Sequence, residues 1–271
     1  MRALLDIAKT AARAGGHVLE SRRGDLGEVR SKSSLTDLVT DVDVAAGLAT
    51  VKAILAALPD ARFVIEEDEL YDLASATRGG LDDSEVWVID PLDGTTSFVH
   101  GYPNYSVSVA ALRDGVPVAG AVYNAALGEM NSAAVGLGAF RNDERLHTPA
   151  VEHVNEALLI TGFPYDRGAP LDRQLAALTA FLRAPVHGIR RDGSAALDCS
   201  HVAGARADGY WEFGLHAWDV AAGVVILREA GAVVTDADGQ PWTPHCSSIC
   251  TANPTLHIEM LEVLAASAAR P

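Results

Sequence analysis

The sequence predicts an α+β fold made of mixed strand and helix layers, on three observations. Short apolar strand candidates and amphipathic helices are interspersed without the strict strand–helix–strand repetition of a parallel chain. The 271 residues are 49% hydrophobic and 21% charged, ordinary values for a globular chain able to bury a sizeable core. No linker-like stretch divides the chain, so residues 1–271 read as one domain. The softest internal boundary lies near 143–153.

Leu4, Leu5, Ala8, Ala11, Ala12 and Leu19 recur at helical spacing and predict a helix over 2–22. Residues 24–34 are polar and glycine-bearing and read as a loop. Thr40 stands three residues before Asp43, a capping signature, and apolar positions from Ala45 to Leu58 carry a helix over about 41–58, which Pro59-Asp60 ends. Phe63-Val64-Ile65 is a short buried strand running into Glu66-Glu67-Asp68-Glu69. Residues 70–84 are polar, carry Gly79-Gly80, and read as a surface excursion. A second buried strand over 86–89 stops at Asp90-Pro91. Residues 105–112 and 116–123 alternate around Asp114-Gly115 and read as a hairpin. Short strands and glycine turns fill 128–140, among them Gly136 and Gly138, and Asn142-Asp143 is a further turn. In the second half, Leu158–Thr161 is a strand, 171–182 a helix before Pro185, and 195–205 a helix of small residues. Ala217–Ala230 is apolar nearly all round, which predicts a buried helix, capped by Gly231. Val233-Val234 opens a strand and 256–268 is the last helix.

The formal charge is −15, from 36 acidic and 21 basic residues, and no Lys/Arg block is longer than the pairs Arg22-Arg23 and Arg190-Arg191. A nucleic-acid binder needs a basic stripe, so that partner class is excluded. Surplus carboxylates suit a protein that binds divalent cations, and equally one kept soluble by charge. Cys199, Cys246 and Cys250 give no disulfide framework, which suits a reducing cytoplasm. His245, Cys246 and Cys250 lack the second ligand pair of a metal clip. No apolar run has the length of a membrane span, and residues 1–20 carry Asp6, Lys9, Arg13 and Glu20, so they read as an amphipathic helix and not a signal peptide.

The chemistry concentrates at Trp87-Val88-Ile89-Asp90-Pro91-Leu92-Asp93-Gly94-Thr95-Thr96. A buried strand ends in a carboxylate, and a second carboxylate follows three residues later, so both point into one space at the strand's mouth. Gly94, Thr95 and Thr96 then offer free backbone N–H groups to an anion. Like charges this close are costly without a cation between them. Metal together with phosphate is the natural inference. Glu66 follows its strand in the same manner. Asp219 and Asp43 each open a helix, where a plain capping role is equally consistent.

These segments together resemble the inositol monophosphatase family of lithium-sensitive, magnesium-dependent phosphomonoesterases. The resemblance covers about 29–234. It rests on the Asp90–Thr96 motif, on Trp218-Asp219-Val220-Ala221-Ala222-Gly223, and on three supporting matches: Lys32-Ser33-Ser34 with 37–43, Glu66-Glu67, and Gly193-Ser194-Ala195. It implies a layered α-β-α-β-α sandwich and a homodimer. It implies two to three Mg²⁺ ions: one held by Glu66, Asp90 and the Leu92 carbonyl, a second by Asp90, Asp93 and Asp219, and a third reached by Glu66 through water. Thr95, polarised by Asp43 and helped by Glu66, would orient a water for direct in-line attack. Gly94, Thr95 and Thr96 would hold the phosphate, and Lys32 would lie on a loop over the site. Asp93, Ala195, Glu212 and the backbone around Gly193 and Ser194 would face the alcohol. Ile65 stands where the family usually has glycine, and Ser97 where asparagine is common. Myo-inositol 1-phosphate is the expected substrate. Histidinol phosphate, fructose 1,6-bisphosphate and nucleotide 3′-phosphates are the alternatives, and a regulatory binding protein on the same fold is the non-enzyme alternative. Trp87 and Trp218 are expected to wall the site, and His100 either contacts substrate or is a plain loop histidine.

Overall fold

Two sheets with a buried helix pair between them set the architecture. The computed structural model describes residues 1–25, 27, 29–31 and 38–268. Among these, the helices are α1 (Arg2–Ser21), α2 (Asp41–Ala57), α3 (Leu70–Leu73), α4 (Thr95–Val99), α5 (Ala169–Arg183), α6 (Ala195–Ala203), α7 (Ala217–Ala230) and α8 (Pro254–Ala268). Strands β1 (Val29–Ser31) and β2 (Leu38–Thr40) form an antiparallel ribbon. The large sheet contains β3 (Arg62–Ile65), β4 (Thr77–Arg78), β5 (Val86–Asp93), β6 (Ser106–Arg113), β7 (Val116–Asn124), β8 (Glu129–Ala134), β9 (Gly138–Arg141) and β10 (Glu144–Arg145), in the order β10-β9-β8-β7-β6-β5-β3-β4. The smaller sheet contains β11 (Leu158–Thr161), β12 (Gly188–Arg190), β13 (Gly209–Phe213), β14 (Val233–Thr235) and β15 (Ser248–Ala252), in the order β12-β11-β13-β15-β14.

The layers follow from which faces are apolar. Helices α1 and α2 cover one face of the large sheet, burying Leu4, Ala8, Ala12, Val51 and Ile54 with Trp87, Ile89 and Val109. The opposite face packs on α6 and α7, where Val86, Val88, Val122, Leu197, Val224 and Ile226 share a second cluster with Tyr210 and Ile249 of the smaller sheet. The outer face of that sheet takes α5 and α8, through Trp211, Phe213, Phe181, Leu256 and Met260. The result is the α-β-α-β-α sandwich. Alternation along the strands is what distributes these residues. It sends Val86 and Val88 inward and Trp87 and Ile89 outward, and on β13 it sends Tyr210 inward and Trp211 outward.

Local chemistry agrees with this frame. Thr40 accepts from the Val42 and Asp43 amides, and Asp43 accepts from the Thr40 amide, the reciprocal cap that starts α2. Asp114 and Gly115 have φ of 47° and 75°, the left-handed pair that a two-residue hairpin between β6 and β7 requires. Helix α7 approaches β7 so closely that a Cβ on Gly120 would stand 2.6 Å from the Ala222 carbonyl oxygen.

The structure corrects several expectations. The segment expected as a loop over 24–34 contains β1, paired to β2. The excursion over 70–84 contains α3 and β4, and β4 extends the large sheet beside β3. Strand β5 does not stop at Asp90-Pro91. It continues to Asp93 through a bulge, because Asp90 pairs with Ser108 and Asp93 with Ser106, leaving one extra residue on β5. Proline is tolerated in a bulge, where no ladder N–H is needed. Strands β12, β13 and β15 were not expected at all.

Adding a methyl group at the α7 contact should be costly, since backbone atoms of Ala222 cannot give way as a side chain could. Gly120→Ala is expected to lower the unfolding free energy by about 3 kcal/mol, read as a fall in the urea midpoint with an unchanged slope.

Candidate active site

The site lies where the ends of β3, β5 and β13 meet the first turns of α2, α4, α6 and α7. Asp90 and Asp93 stand on either side of the bulge in β5. Asp90 is buried, its Oδ1 accepts the Leu92 amide at 3.0 Å, and its carboxyl shares a hydrogen bond with Glu66. Burial pushes the Asp90 carboxyl well above its ordinary range, and the neighbouring charges of Glu66, Asp93 and Asp219 push it the same way.

Asp93 is held differently. Its Oδ2 accepts from Ser194 Oγ at 2.6 Å and the Ala196 amide at 2.8 Å, and its Oδ1 from the Ala195 amide at 3.2 Å. These donors favour the charged form, but burial outweighs them and Asp93 sits at about 6. Gly94 follows with φ of 96°, and a Cβ there would stand 2.9 Å from the Asn104 carbonyl oxygen and 3.0 Å from that of Gly193. Only glycine satisfies both the dihedral and the space.

Thr95 opens α4 with its Oγ1 3.0 Å from Asp43 Oδ1 and 3.0 Å from the Leu92 carbonyl oxygen. One hydroxyl proton cannot serve both, and the carboxylate is the stronger acceptor. The other oxygen of Asp43 accepts from the Thr40 amide at 2.8 Å and the Thr40 hydroxyl at 2.5 Å. The Thr40 cap therefore fixes which Asp43 oxygen meets Thr95.

Asp219 is the third residue of α7, and its Oδ2 accepts the His216 amide at 2.6 Å. It thus performs the capping role and faces the cavity together, with about 21% of its side chain open. Desolvation by the surrounding protein raises its pKa well above the ordinary value, and Glu66, Asp93 and Glu212 add to the rise.

Glu66, Asp93 and Asp219 line a cavity of about 500 Å³ together with Gly193, Ala195 and Glu212. Glu212 projects from β13 and accepts the Tyr210 hydroxyl at 2.6 Å. Burial pushes it up to about 7, against the pull of that hydrogen bond and of Arg191. The space its carboxylate fills is the space a side chain on Gly162 would need. Ser194, expected among substrate contacts, is fully buried; it caps α6 and holds Asp93. Asp43, Asp90, Leu92, Gly94, Thr95 and Thr96 are not among the cavity's lining residues. Lys32, with Ser33, Ser34 and Asp37, lies outside the described residues.

Trp218 walls the cavity and stacks on His216 at 4.7 Å between ring centroids. Trp87 does not: strand alternation turns it into the core beneath α1 and α2. His100 is exposed and lines a separate pocket beside Arg23, away from the carboxylates. Gly136 and Gly138 form a turn whose amides donate to Glu229.

Residues that the sequence reading did not place here are Arg191, His216 and the 162–166 loop, all on the cavity wall. Gly162-Phe163-Pro164 directly follows a strand that was expected, and strand ends carry sites, so that signal was available. Asp198, in the first turn of α6, was also missed. Among the described residues its two buried carboxyl oxygens have no hydrogen-bond partner, and burial, with Glu212, Asp93 and Asp192 nearby, raises its pKa well above the ordinary value.

Among the described residues, no three His, Cys, Asp or Glu side chains form a ready ligating cluster. Asp93 is turned onto α6 and Asp219 onto the His216 amide, so the carboxylates meet as crowded neighbours.

The inositol monophosphatase family profile matches residues 1–269. The chain belongs to that family. An inositol-1-monophosphatase of Synechocystis is 38% identical over 263 residues, covering 97% of this chain and 89% of the relative. A protein of Neisseria meningitidis serogroup B named putative Nus factor SuhB is also 38% identical, over 98% of this chain and 99% of its own. The solved inositol monophosphatase of Anabaena superposes with a TM-score of 0.85 at 36% identity, covering 98% of this chain and 96% of that one. The extragenic suppressor protein suhB of Bartonella henselae superposes at 0.87 and 35%, covering 97% and 98%. The family's members are phosphatases of small phosphate esters.

Glu212 couples the site to pH. Its folded pKa of about 7 lies above its ordinary value of 4.5. Its contribution to stability is therefore present in full below pH 4.5 and lost as pH rises through 7. In EDTA, Glu212→Gln is expected to remove up to about 3 kcal/mol of the fall in stability between those limits, measured by urea titrations at a series of pH values.

Proposed function

We propose that the protein is a Mg²⁺-dependent phosphomonoesterase whose substrate is myo-inositol 1-phosphate. The observation that carries this reading is the crowding of Glu66, Asp90, Asp93 and Asp219 beside a cavity that also contains Glu212. The donor set fits hard divalent cations: it is all oxygen and largely buried. Glu66, Asp90, Asp93, Asp219 and the Leu92 carbonyl would hold two to three Mg²⁺ ions.

When bound, such ions supply a water of lowered pKa and neutralise the phosphate and leaving alkoxide. The chain supplies the rest. Thr95 donates its proton to Asp43, which leaves the Thr95 oxygen free to accept from the attacking water and set its direction. Glu66 takes part in holding that water. The amides of Gly94, Thr95 and Thr96 donate to the phosphate. Glu212 accepts from vicinal ring hydroxyls, while Gly193 and Ala195 shape the wall. No side-chain nucleophile is needed, and the attack is in line. Lys32, outside the described residues, is kept as a proposed contact.

The relatives named inositol-1-monophosphatase support the choice of substrate. The reading includes a homodimer in the cytoplasm, lithium sensitivity, and a small phosphate ester as substrate, with no nucleic-acid or membrane partner. A second reading, a binding role on the same fold, is favoured by the relatives named Nus factor SuhB.

Phosphate release from inositol 1-phosphate, histidinol phosphate, fructose 1,6-bisphosphate and a nucleotide 3′-phosphate, in Mg²⁺ with and without lithium, separates these readings. Preference for inositol 1-phosphate with lithium inhibition is expected; no turnover on any of them would favour the binding role. Asp93→Asn and Asp219→Asn are each expected to lower kcat/KM on the order of 100-fold or more, and retention of full activity would refute the metal-site assignment.

A further inference from the structure

We infer that Tyr71 is a positioning residue for the Glu66 turn, acting as the missing last rung of the sheet. The inference rests on the reading of Glu66 as a metal ligand. Strand β3 is flanked on one side by β5, which pairs with it as far as Ile65. On the other side β4 is only two residues long and pairs with Arg62 and Phe63 alone. In a strand, residues two apart direct their backbone groups to the same edge, so Ile65 faces an edge where β4 has already ended. An unpaired amide at such an edge leaves the strand end free to fray.

The Tyr71 hydroxyl fills that gap. The Ile65 amide donates to Tyr71 Oη at 3.0 Å, and Tyr71 Oη donates to the Phe63 carbonyl at 3.1 Å. Glu66 is the next residue, and its own amide donates across to the Ile89 carbonyl at 3.2 Å on the β5 side. The backbone that delivers the Glu66 carboxyl is thus gripped from both edges within two consecutive residues.

The phenol is itself held. Leu70, beside it in α3, is fully buried. The Arg78 guanidinium lies over the Tyr71 ring, 3.7 Å from its centroid, and Arg78 donates to Asp68 at 2.9 Å. Asp68 belongs to the acidic run that follows β3, so the clasp closes the turn containing Glu66 and Glu67 on itself. The exposed ion pair adds little alone; the hydroxyl bridge is what holds the Ile65 backbone from the β4 side.

Mg²⁺ titration calorimetry on the whole protein tests this, with wild type, Tyr71→Phe, Arg78→Met and Glu66→Gln compared. Tyr71→Phe keeps the ring and its packing and removes only the bridge. The expected result is a Mg²⁺ dissociation constant raised about 10-fold, with KM for phosphate ester at saturating Mg²⁺ unchanged. Arg78→Met should shift it in the same direction by less, and serves if Tyr71→Phe does not fold. A lowered melting temperature in Tyr71→Phe with wild-type Mg²⁺ affinity would overturn the inference while leaving the metal reading intact. Wild-type Mg²⁺ affinity in Glu66→Gln would instead overturn the metal reading beneath it.

Discussion

The hydrogen bonds from Ser194, Ala195 and Ala196 to Asp93 join the two halves of the molecule at the site. Asp93 ends β5 of the large sheet, and its three donors are the cap and first turn of α6, which packs on the smaller sheet. A carboxylate at a helix start is favoured by the helix dipole and by the otherwise unpaired amides there. That interaction sets where α6 begins, and with it the positions of Ala195 and Gly193 on the cavity wall. It also explains why Asp93 tolerates burial: its donors partly offset the desolvation that still leaves it at about 6.

The same device recurs around the cavity. Asp43 is the third residue of α2 and closes a reciprocal cap with Thr40; Asp219 is the third residue of α7 and closes one with His216. Each helix start therefore contributes a carboxylate whose orientation is fixed by its own cap. Sheet ends supply the others, Glu66 and Asp90 from the large sheet and Glu212 from the smaller one. The sandwich converges elements whose ends carry acidic residues, and their crowded carboxylates are what a divalent cation would offset.

Much of this was legible in the sequence because it is local. The cap at Thr40, the hairpin at Asp114-Gly115 and the apolar helix Ala217–Ala230 each depend on residues within a few positions of one another. The carboxylate pair of Asp90 and Asp93 was visible for the same reason, although its mechanism was misread: the strand does not end at Pro91 but bulges. What the sequence could not disclose is non-local. Strand β13 hides because Glu212 interrupts an apolar run, and its burial depends on Tyr210, Arg191 and the empty side of Gly162. Arg191 reads as half of a short basic pair until the fold brings it to the cavity. Trp87 is the instructive miss, since strand alternation from Val86 and Val88 already places it on the face away from the site. Asp43, Thr95 and Leu92 meet across 52 residues of chain, and only the family resemblance pointed to the first two together.

The central claim is that the buried carboxylates are a liability alone and a stabilising feature once a divalent cation is bound. Thermal unfolding of wild type and Asp90→Asn, each in EDTA and in millimolar Mg²⁺, addresses it directly. The account predicts a crossed pattern: Asp90→Asn melts higher than wild type in EDTA, because a buried like charge is gone, and gains little from Mg²⁺. Wild type gains substantially, since a ligand at a hundredfold over its Kd contributes about 2.7 kcal/mol. An Asp90→Asn protein that melts lower than wild type in EDTA, and gains as much from Mg²⁺, would contradict the claim.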